Sequence, residues 1–317
     1  VVVTLGEDAI GQRMDKAVVV GLANAGYEIS RSQLARAFER GKVWHAGRSL
    51  KPGHRVEQAM PVTVQLPTPA PLDAFPEPIP IEIVHDDDDL LVIDKAPGMA
   101  VHAGPGHSRG TLVNAVLHHL GVQADQLPVL PGNEAYRPGL VHRLDRDTSG
   151  LIVLAKHQRA LEFLAAQFRA HTTERSYLGL VRGVPRFDTL RVETTHARDP
   201  ADRRRFAPDV PGATRRAITH VEVVERLVDA ALVRFRLETG RTHQVRMHAR
   251  HLGHPLVADS VYGSRPADPG RREIAERLGR HALHAAELGF AHPAGQHMRF
   301  SSELPEDMQA ALRALRG

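Results

Sequence analysis

The stretch Leu140-Val-His-Arg-Leu-Asp-Arg-Asp-Thr-Ser-Gly-Leu-Ile-Val-Leu154 carries a charged turn directly into an apolar run. Ile152, Val153 and Leu154 read as a buried strand, and Thr148-Ser-Gly150 reads as the turn that precedes it. Asp145 therefore sits on a loop held at one end by core. Arg143 and Arg146 flank it, and a neighbouring guanidinium favours a charged carboxylate and offers a phosphate something to bind. Two readings stay open on these residues alone: an Arg–Asp pair that closes a turn, and a carboxylate placed for chemistry.

The rest of the chain bounds the choice. At 317 residues with 42% hydrophobic content it can fill two domains with core. No apolar run approaches the length of a membrane helix, and Val1-Val-Val-Thr-Leu-Gly-Glu-Asp8 lacks the basic start and apolar core of a signal peptide. A cytoplasmic protein without membrane contact is the expectation. The absence of cysteine excludes disulfides, thiolate nucleophiles and cysteine-ligated zinc, and it fits a reducing compartment. The 41 basic residues comprise 36 Arg and 5 Lys, giving a net charge of +4 and a pI near 9.7. Guanidinium groups bind phosphate bidentately and stack on bases, which suits nucleic acid; a genomic bias toward Arg codons would give the same ratio.

Residues 1–66 read as a module of helices followed by short strands. Met14, Val18, Gly21 and Leu22 recur at helical spacing. A second helix opens after Ser30 or Ser32, buries Leu34, Ala37 and Phe38, and stops at Gly41. Val43–Leu50 reads as a hairpin turning at Ala46-Gly47, and Val62, Val64 and Leu66 alternate as a closing strand. Arg31, Arg36, Arg40 and Lys42 lie on or beside the second helix, a pattern that serves an RNA backbone or a solvated face equally well. Residues 67–80 hold six prolines in fourteen positions and read as a semi-rigid linker.

The larger domain, 81–317, opens with two strands around Asp86-Asp-Asp-Asp89, read as a solvated hairpin tip because the run lacks the spacing and glycine of a calcium loop. Thr111 caps an apolar helix, Leu161–Phe168 forms another, and Ser176–Arg182 is a strand bearing Tyr177. Residues 198–216 read as a mobile basic loop. Leu232, Phe235 and Leu237 mark a strand, after which Thr242 caps a helix ending near Gly253. Arg241 then falls at a helix N-terminus, where an anion is attracted. His243, His248, His251 and His254 lack the His-Glu-x-x-His arrangement, so no metal is expected. Leu304–Leu315 makes a terminal amphipathic helix. No phosphate loop, dinucleotide fingerprint or internal repeat occurs.

Together, His142-Arg-Leu-Asp-Arg-Asp-Thr-Ser-Gly150, Leu237-Glu-Thr-Gly-Arg-Thr-His-Gln-Val-Arg-Met-His248, Gly253-His-Pro-Leu256 and His281–His284 resemble the RluA-type RNA pseudouridine synthases, over essentially the whole chain from residue 12. Ser30-Arg-Ser32, Arg36–Lys42, Gly47 and Lys51-Pro52 make the first module similar to the RNA-binding domain of ribosomal protein S-four. The resemblance implies an α+β fold: a catalytic domain on a mixed, largely antiparallel sheet with flanking helices, preceded by a small α/β RNA-binding module. It implies a monomeric isomerase that converts uridine to pseudouridine in large-subunit ribosomal RNA without cofactor or metal, on a flipped-out base. Asp145 takes the place of the essential aspartate, Arg241 of the arginine that pairs with it, and Tyr177 of the tyrosine set against the base and proposed to assist proton removal. Arg143 takes the place of a residue associated with the space the base leaves, and Arg31, Arg36, Arg40 and Lys42 are the expected RNA contacts of the first module.

Overall fold

Exposed and buried side chains alternate through Val2–Leu5, the mark of a strand with one wet face. In the computed structural model this strand, β1, joins β2 (Val43–His45), β3 (Arg48–Ser49) and β4 (Met60–Val64) in an antiparallel sheet of order β1-β4-β2-β3. Helices α1 (Met14–Asn24) and α2 (Arg31–Glu39) share its core: Val18 and Leu22 from α1, Leu34, Ala37 and Phe38 from α2, and Val43, Val62 and Val64 from the strands. The face expected of α2 is therefore buried, and the hairpin turns at Ala46-Gly47, both at positive φ. The sequence reading had missed β1, which places a strand ahead of the helices. The structure describes residues 1–27, 31–65, 74–104, 109–130 and 137–316, with the side chains of 31–33 and 36 outside that set. Ser30, Leu66 and much of the expected 67–80 linker thus lie outside the described residues. The chain divides into two compact units, Val1–Pro71 and Leu72–Gly317.

The second unit is a nine-stranded mixed sheet with helices on both faces, an α+β fold. Its strands are β5 (Glu82–Asp86), β6 (Leu90–Lys95), β7 (Ser149–Ala155), β8 (Glu174–Arg182) and β9 (Thr189–Thr195), then, past a separate two-stranded ladder of β10 (Ala197–Arg198) with β11 (Phe206–Ala207), β12 (Arg216–Leu227), β13 (Ala230–Leu237), β14 (Leu283–Ala291) and β15 (His297–Ser301). The order is β5-β6-β7-β14-β8-β13-β12-β9, with β15 on β14. All pairs are antiparallel except β7 with β14.

The strand expected at Ile152–Leu154 is β7, buried at every residue. Ile152 and Leu154 enter the core that holds α3 (Leu112–Leu120). Leu151, Val153 and Ala155 face the core shared with α4 (Gln158–Ala170). Each such side chain contributes about 1.5–3 kcal/mol on burial, which anchors the loop that precedes it. Thr111 caps α3 as expected, accepting from the Asn114 amide at 3.3 Å. Three further helices complete the unit: α5 (Gln244–His251), α6 (Pro269–Leu278) and α7 (Glu306–Arg316).

Three expectations need correction. The aspartate run forms the expected tip between β5 and β6 with Asp86 and Asp88 exposed, but its carboxylates are not left to solvent alone: Asp86 meets His119 at 2.7 Å and also Lys156, Asp87 meets His85 at 2.6 Å, and Asp89 meets His157 at 2.7 Å. His119, Lys156 and His157 arrive from distant elements, beyond the reach of local pattern. The basic stretch 198–216 is not a structureless loop, because Arg204 and Arg205 pair with Asp202 and Arg198 stacks at 4.3 Å over Phe206 within the β10–β11 ladder. Finally, Thr242 does not cap α5, which begins at Gln244. His243 precedes it in the left-handed region at φ 57°, and the Gln244 carboxamide accepts from the Arg241 amide at 3.0 Å.

Candidate active site

Asp145 lies in the loop between the buried Leu144 and β7, with its own carbonyl closing the turn by accepting from the Thr148 amide at 3.1 Å. One carboxylate oxygen accepts from Arg246 Nη1 at 3.1 Å. Arg246 projects inward from the first turn of α5, buried between β-sheet and helix, and its other two donors form a bidentate pair with Asp259 at 2.7 and 2.9 Å. Asp259 is itself fully buried and accepts from the amides of Val261 and Tyr262, both at 2.9 Å. Burial pushes the Asp259 carboxyl up, but the Arg246 hydrogen bonds and charge outweigh it and hold the carboxyl below its ordinary value. For Arg246, burial pulls down while Asp259 and then Asp145 raise it, so the guanidinium ends above its usual value. The result is a cation fixed by one carboxylate and presented to the other.

The expected partner, Arg241, does not make this contact. Its side chain turns toward β12, where Nε donates to the Arg216 carbonyl at 3.1 Å, and it remains exposed on the wall of the same cavity. The physical reason is the late start of α5. With the helix opening at Gln244, residue 246 faces inward and residue 241 stays in the turn ahead of it.

The loop carrying Asp145 is fastened from behind. Lys95 is buried, and Nζ donates to the carbonyls of Ala96, Met99 and Arg146 at 2.7, 3.0 and 3.0 Å. Burial lowers its pKa to about 7, against the opposing pull of Asp147. Arg280 donates to the Asp147 carbonyl at 3.0 Å and pairs with Asp307. His281 meets the Thr148 hydroxyl at 2.8 Å, and His284 the Ser149 hydroxyl at 3.0 Å. Gly150 lets β14 approach: its φ is 108°, and a Cβ there would lie 2.3 Å from the Ala285 carbonyl oxygen. Asp147, expected to serve the turn, pairs with Arg146 at 3.0 Å.

Asp145 opens onto a cavity of about 510 Å³ whose lining also includes Arg143, Tyr177 and Arg241. The four expected site residues of this unit therefore come together. Tyr177 projects from β8 and is buried, and burial raises its phenol to about 12 against the pull of Arg175. His243, to which the sequence reading assigned no role, stands with Nε2 3.9 Å from the Asp145 carboxylate. Its Nδ1 lies 3.2 Å from the Tyr262 hydroxyl, which accepts from the Phe206 amide at 2.7 Å. Arg246 and Asp259 were likewise missed; an arginine between Val245 and Met247 on the apolar side of a helix was the available signal.

In the first unit, Arg40 and Lys42 are exposed just past α2, while the side chains of Arg31 and Arg36 lie outside the described residues. Among the described residues, Asp87, Asp89 and His292 place ligand atoms within 4.8 Å of one another. The Ala294 amide donates to His292 Nδ1 at 3.1 Å, which puts the ring proton on Nε2, so an N–H and not a lone pair faces the carboxylates. No described helix is long and apolar enough to cross a membrane.

The family model of RNA pseudouridylate synthase matches residues 89–251, a span that takes in Asp145, Tyr177, Arg241 and Arg246. A protein of Zymomonas mobilis named ribosomal large subunit pseudouridine synthase D is 40% identical over 318 residues, 99% of this chain and 96% of that one. An uncharacterised RNA pseudouridine synthase of Bacillus subtilis is 38% identical, over 99% of this chain and 97% of its own length. A solved structure, human RNA Pseudouridylate Synthase Domain Containing 1, shares the fold at a TM-score of 0.54 and 22% identity, covering 78% of this chain and 97% of that one. The chain belongs to the RNA pseudouridylate synthase family, of the RluA type, and is an isomerase that converts uridine to pseudouridine in RNA.

Proposed function

We propose that the substrate is large-subunit ribosomal RNA and that Asp145 is the nucleophile acting on a uridine flipped out of its stack. The observation that carries the reading is the Asp145 carboxylate, held at 3.1 Å by Arg246 at the edge of a cavity walled by Tyr177. In the reaction the carboxylate attacks the ribose and the electron pair of the N1–C1′ bond leaves with uracil. The ring turns, C5 bonds to C1′ as the carboxylate departs, and C5 then loses its proton to a water-borne base while N1 takes one up, which gives neutral pseudouridine. Atoms and charge balance without a cofactor. A stacked base cannot reach a buried carboxylate, so the uridine must leave the helix, at a cost of a few kcal/mol offset by contacts elsewhere.

Those contacts are basic. Six arginines and a single carboxylate, Asp145, are among the described residues lining the cavity, and Arg143 and Arg241 are exposed there to meet phosphates beside the target. In this reading residues 1–66 form an S-four-like RNA-binding domain that contacts RNA through Arg31, Arg36, Arg40 and Lys42. The 67–80 linker joins it to the catalytic domain, 81–317. The protein works as a cytoplasmic monomer. The ribosomal target is supported by the names of relatives in Zymomonas mobilis and Nitrosomonas europaea, the second 44% identical over 241 residues.

Pseudouridine mapping of total RNA from cells with and without the gene tests the proposal. The expected result is loss of one or more sites in large-subunit RNA, restored by the wild type and not by Asp145→Asn. Loss confined to transfer RNA would overturn the substrate, and restoration by Asp145→Asn would overturn the nucleophile.

A further inference from the structure

Arg175 stands two residues before Tyr177 on β8 and so faces the same side of the strand. It is 8% exposed and lines the cavity with Asp145 and Tyr177. Its guanidinium is fixed on three sides. Nη2 donates to the Glu238 carbonyl at 2.8 Å, the plane lies over Phe168 at 5.3 Å, and Nη1 sits where a side chain on Gly240 would reach within 2.5 Å. Its Nε is buried with no hydrogen-bond partner. Among the described residues no carboxylate pairs with it, in contrast to Arg246, which has two. Burial accordingly pulls the guanidinium below its ordinary value, with the Tyr177 phenol opposing. A buried, rigidly held cation without a counter-charge is a standing cost that the arrival of an anion relieves.

We propose that Arg175 is a catalytic residue that stabilises the negative charge on uracil once the ring is detached from ribose. The argument for the ring over a phosphate is depth. The backbone carries its phosphates across the mouth of the cavity, where Arg143, Arg169 and Arg241 are exposed, whereas the base is the part of the substrate that reaches buried positions. Uracil enters neutral. When the N1–C1′ bond breaks, its electron pair passes to the ring and spreads over N1, O2 and O4, while Asp145 takes up the ribose. The charge leaves the ring when C5 bonds to C1′ and Asp145 departs as its carboxylate, and the C5 proton is then exchanged for one on N1. A fixed guanidinium therefore interacts most strongly with the state between the two bonds, the condition for accelerating the chemical step and not substrate binding. The inference rests on the base entering this cavity as proposed above.

Single-turnover kinetics of wild type, Arg175→Lys and Arg175→Gln on an RNA fragment containing the mapped site test it. Arg175→Gln should slow the chemical step by roughly 10²–10³-fold, and Arg175→Lys by less. RNA affinity and its salt dependence should stay within about twofold of wild type, as expected when no phosphate contact is lost. Fluorine at C5 makes uracil a weaker base and a better leaving group, so with 5-fluorouridine at the target the deficit in bond cleavage should shrink at least about tenfold if charge stabilisation is the missing term. An unchanged rate overturns the proposal. A weakened, less salt-dependent affinity assigns Arg175 to a phosphate, and an equal deficit on both substrates assigns it a structural role. Should Arg175→Gln fail to fold, the same substrate comparison on Arg175→Lys decides. An active wild type beside an inert Asp145→Asn leaves the functional reading intact, so a negative result then counts against Arg175 alone.

Discussion

Asp145 depends on Arg246, and Arg246 depends on Asp259. That chain of charges separates two arginines five residues apart. Arg246→Met leaves Asp259 buried and unpaired, so it should lower stability by about 3–5 kcal/mol and, by freeing Asp145 from its fixed position, cut kcat by roughly 10²-fold or more. Arg241→Met removes an exposed side chain, so its effect on stability should stay within about 0.5 kcal/mol, while RNA affinity falls and the salt slope drops by about one. Urea unfolding, single-turnover rates and salt titrations of both variants check this, and a reversal of the two phenotypes would return Arg241 to the role first expected of it. Asp145, Tyr177, Arg143 and Arg241 were named through the family resemblance of the stretches that hold them, since the residues alone left a turn-closing pair and a core tyrosine open, and all four line one cavity. Arg246 was not, because which arginine turns inward is decided by where α5 begins. That start is set by Gln244, whose amide donates to the Ile218 carbonyl and the Thr219 hydroxyl on β12, about 25 residues away in sequence.

At the scale of elements, the site is the place where β14 lies parallel to β7. Their pairing at Ser149–His284 and Gly150–Ala285 brings His281 and His284 onto the hydroxyls of Thr148 and Ser149 and so fixes the loop of Asp145. Gly150→Ala must bear a positive φ, about 1–2 kcal/mol for a residue with a Cβ, together with a clash against the Ala285 carbonyl that adds about 1–3 kcal/mol. Gly212 also has positive φ but faces open space, so Gly212→Ala should show only the first part. Urea midpoints of the two variants measure the difference, and equal midpoints would mean that β14 does not press on β7. β7 itself was legible from its apolar run. The parallel partner was not, since it lies about 135 residues away and local pattern carries no trace of it. β1 escaped notice as a four-residue strand whose partner, β4, comes near residue 60. α6 escaped because it buries only Leu278 and so presents no apolar stripe to read.

At the scale of the whole molecule, neutral histidines in the core make the catalytic unit sensitive to acid. His248 is fully buried between the hydroxyls of Thr194 and Thr219, and His281 is buried against Thr148. Burial lowers both to about 4 from an ordinary 6.5. The sign follows from proton counting: between pH 6.5 and 4 the unfolded chain binds protons that the folded chain refuses, so stability falls as the pH falls. Above 6.5 both states are neutral and the full contribution is present. Each histidine then accounts for about 3 kcal/mol across that window, a large share of the 5–15 kcal/mol typical of a domain. The histidine contribution to the urea midpoint should therefore be fully present above pH 6.5 and drop steeply from 6.5 to 4. Because His281 also holds the Asp145 turn, isomerase activity should be lost over the same interval and not at a lower pH of its own. His281→Asn keeps a hydrogen-bonding group beside Thr148 but cannot take up a proton, so it should reduce the slope of stability against pH by about one proton between 6.5 and 4. A variant with the wild-type slope would mean that His281 does not stay neutral in the fold, and that the turn bearing Asp145 is held by its other ties, Lys95 and Arg280, alone.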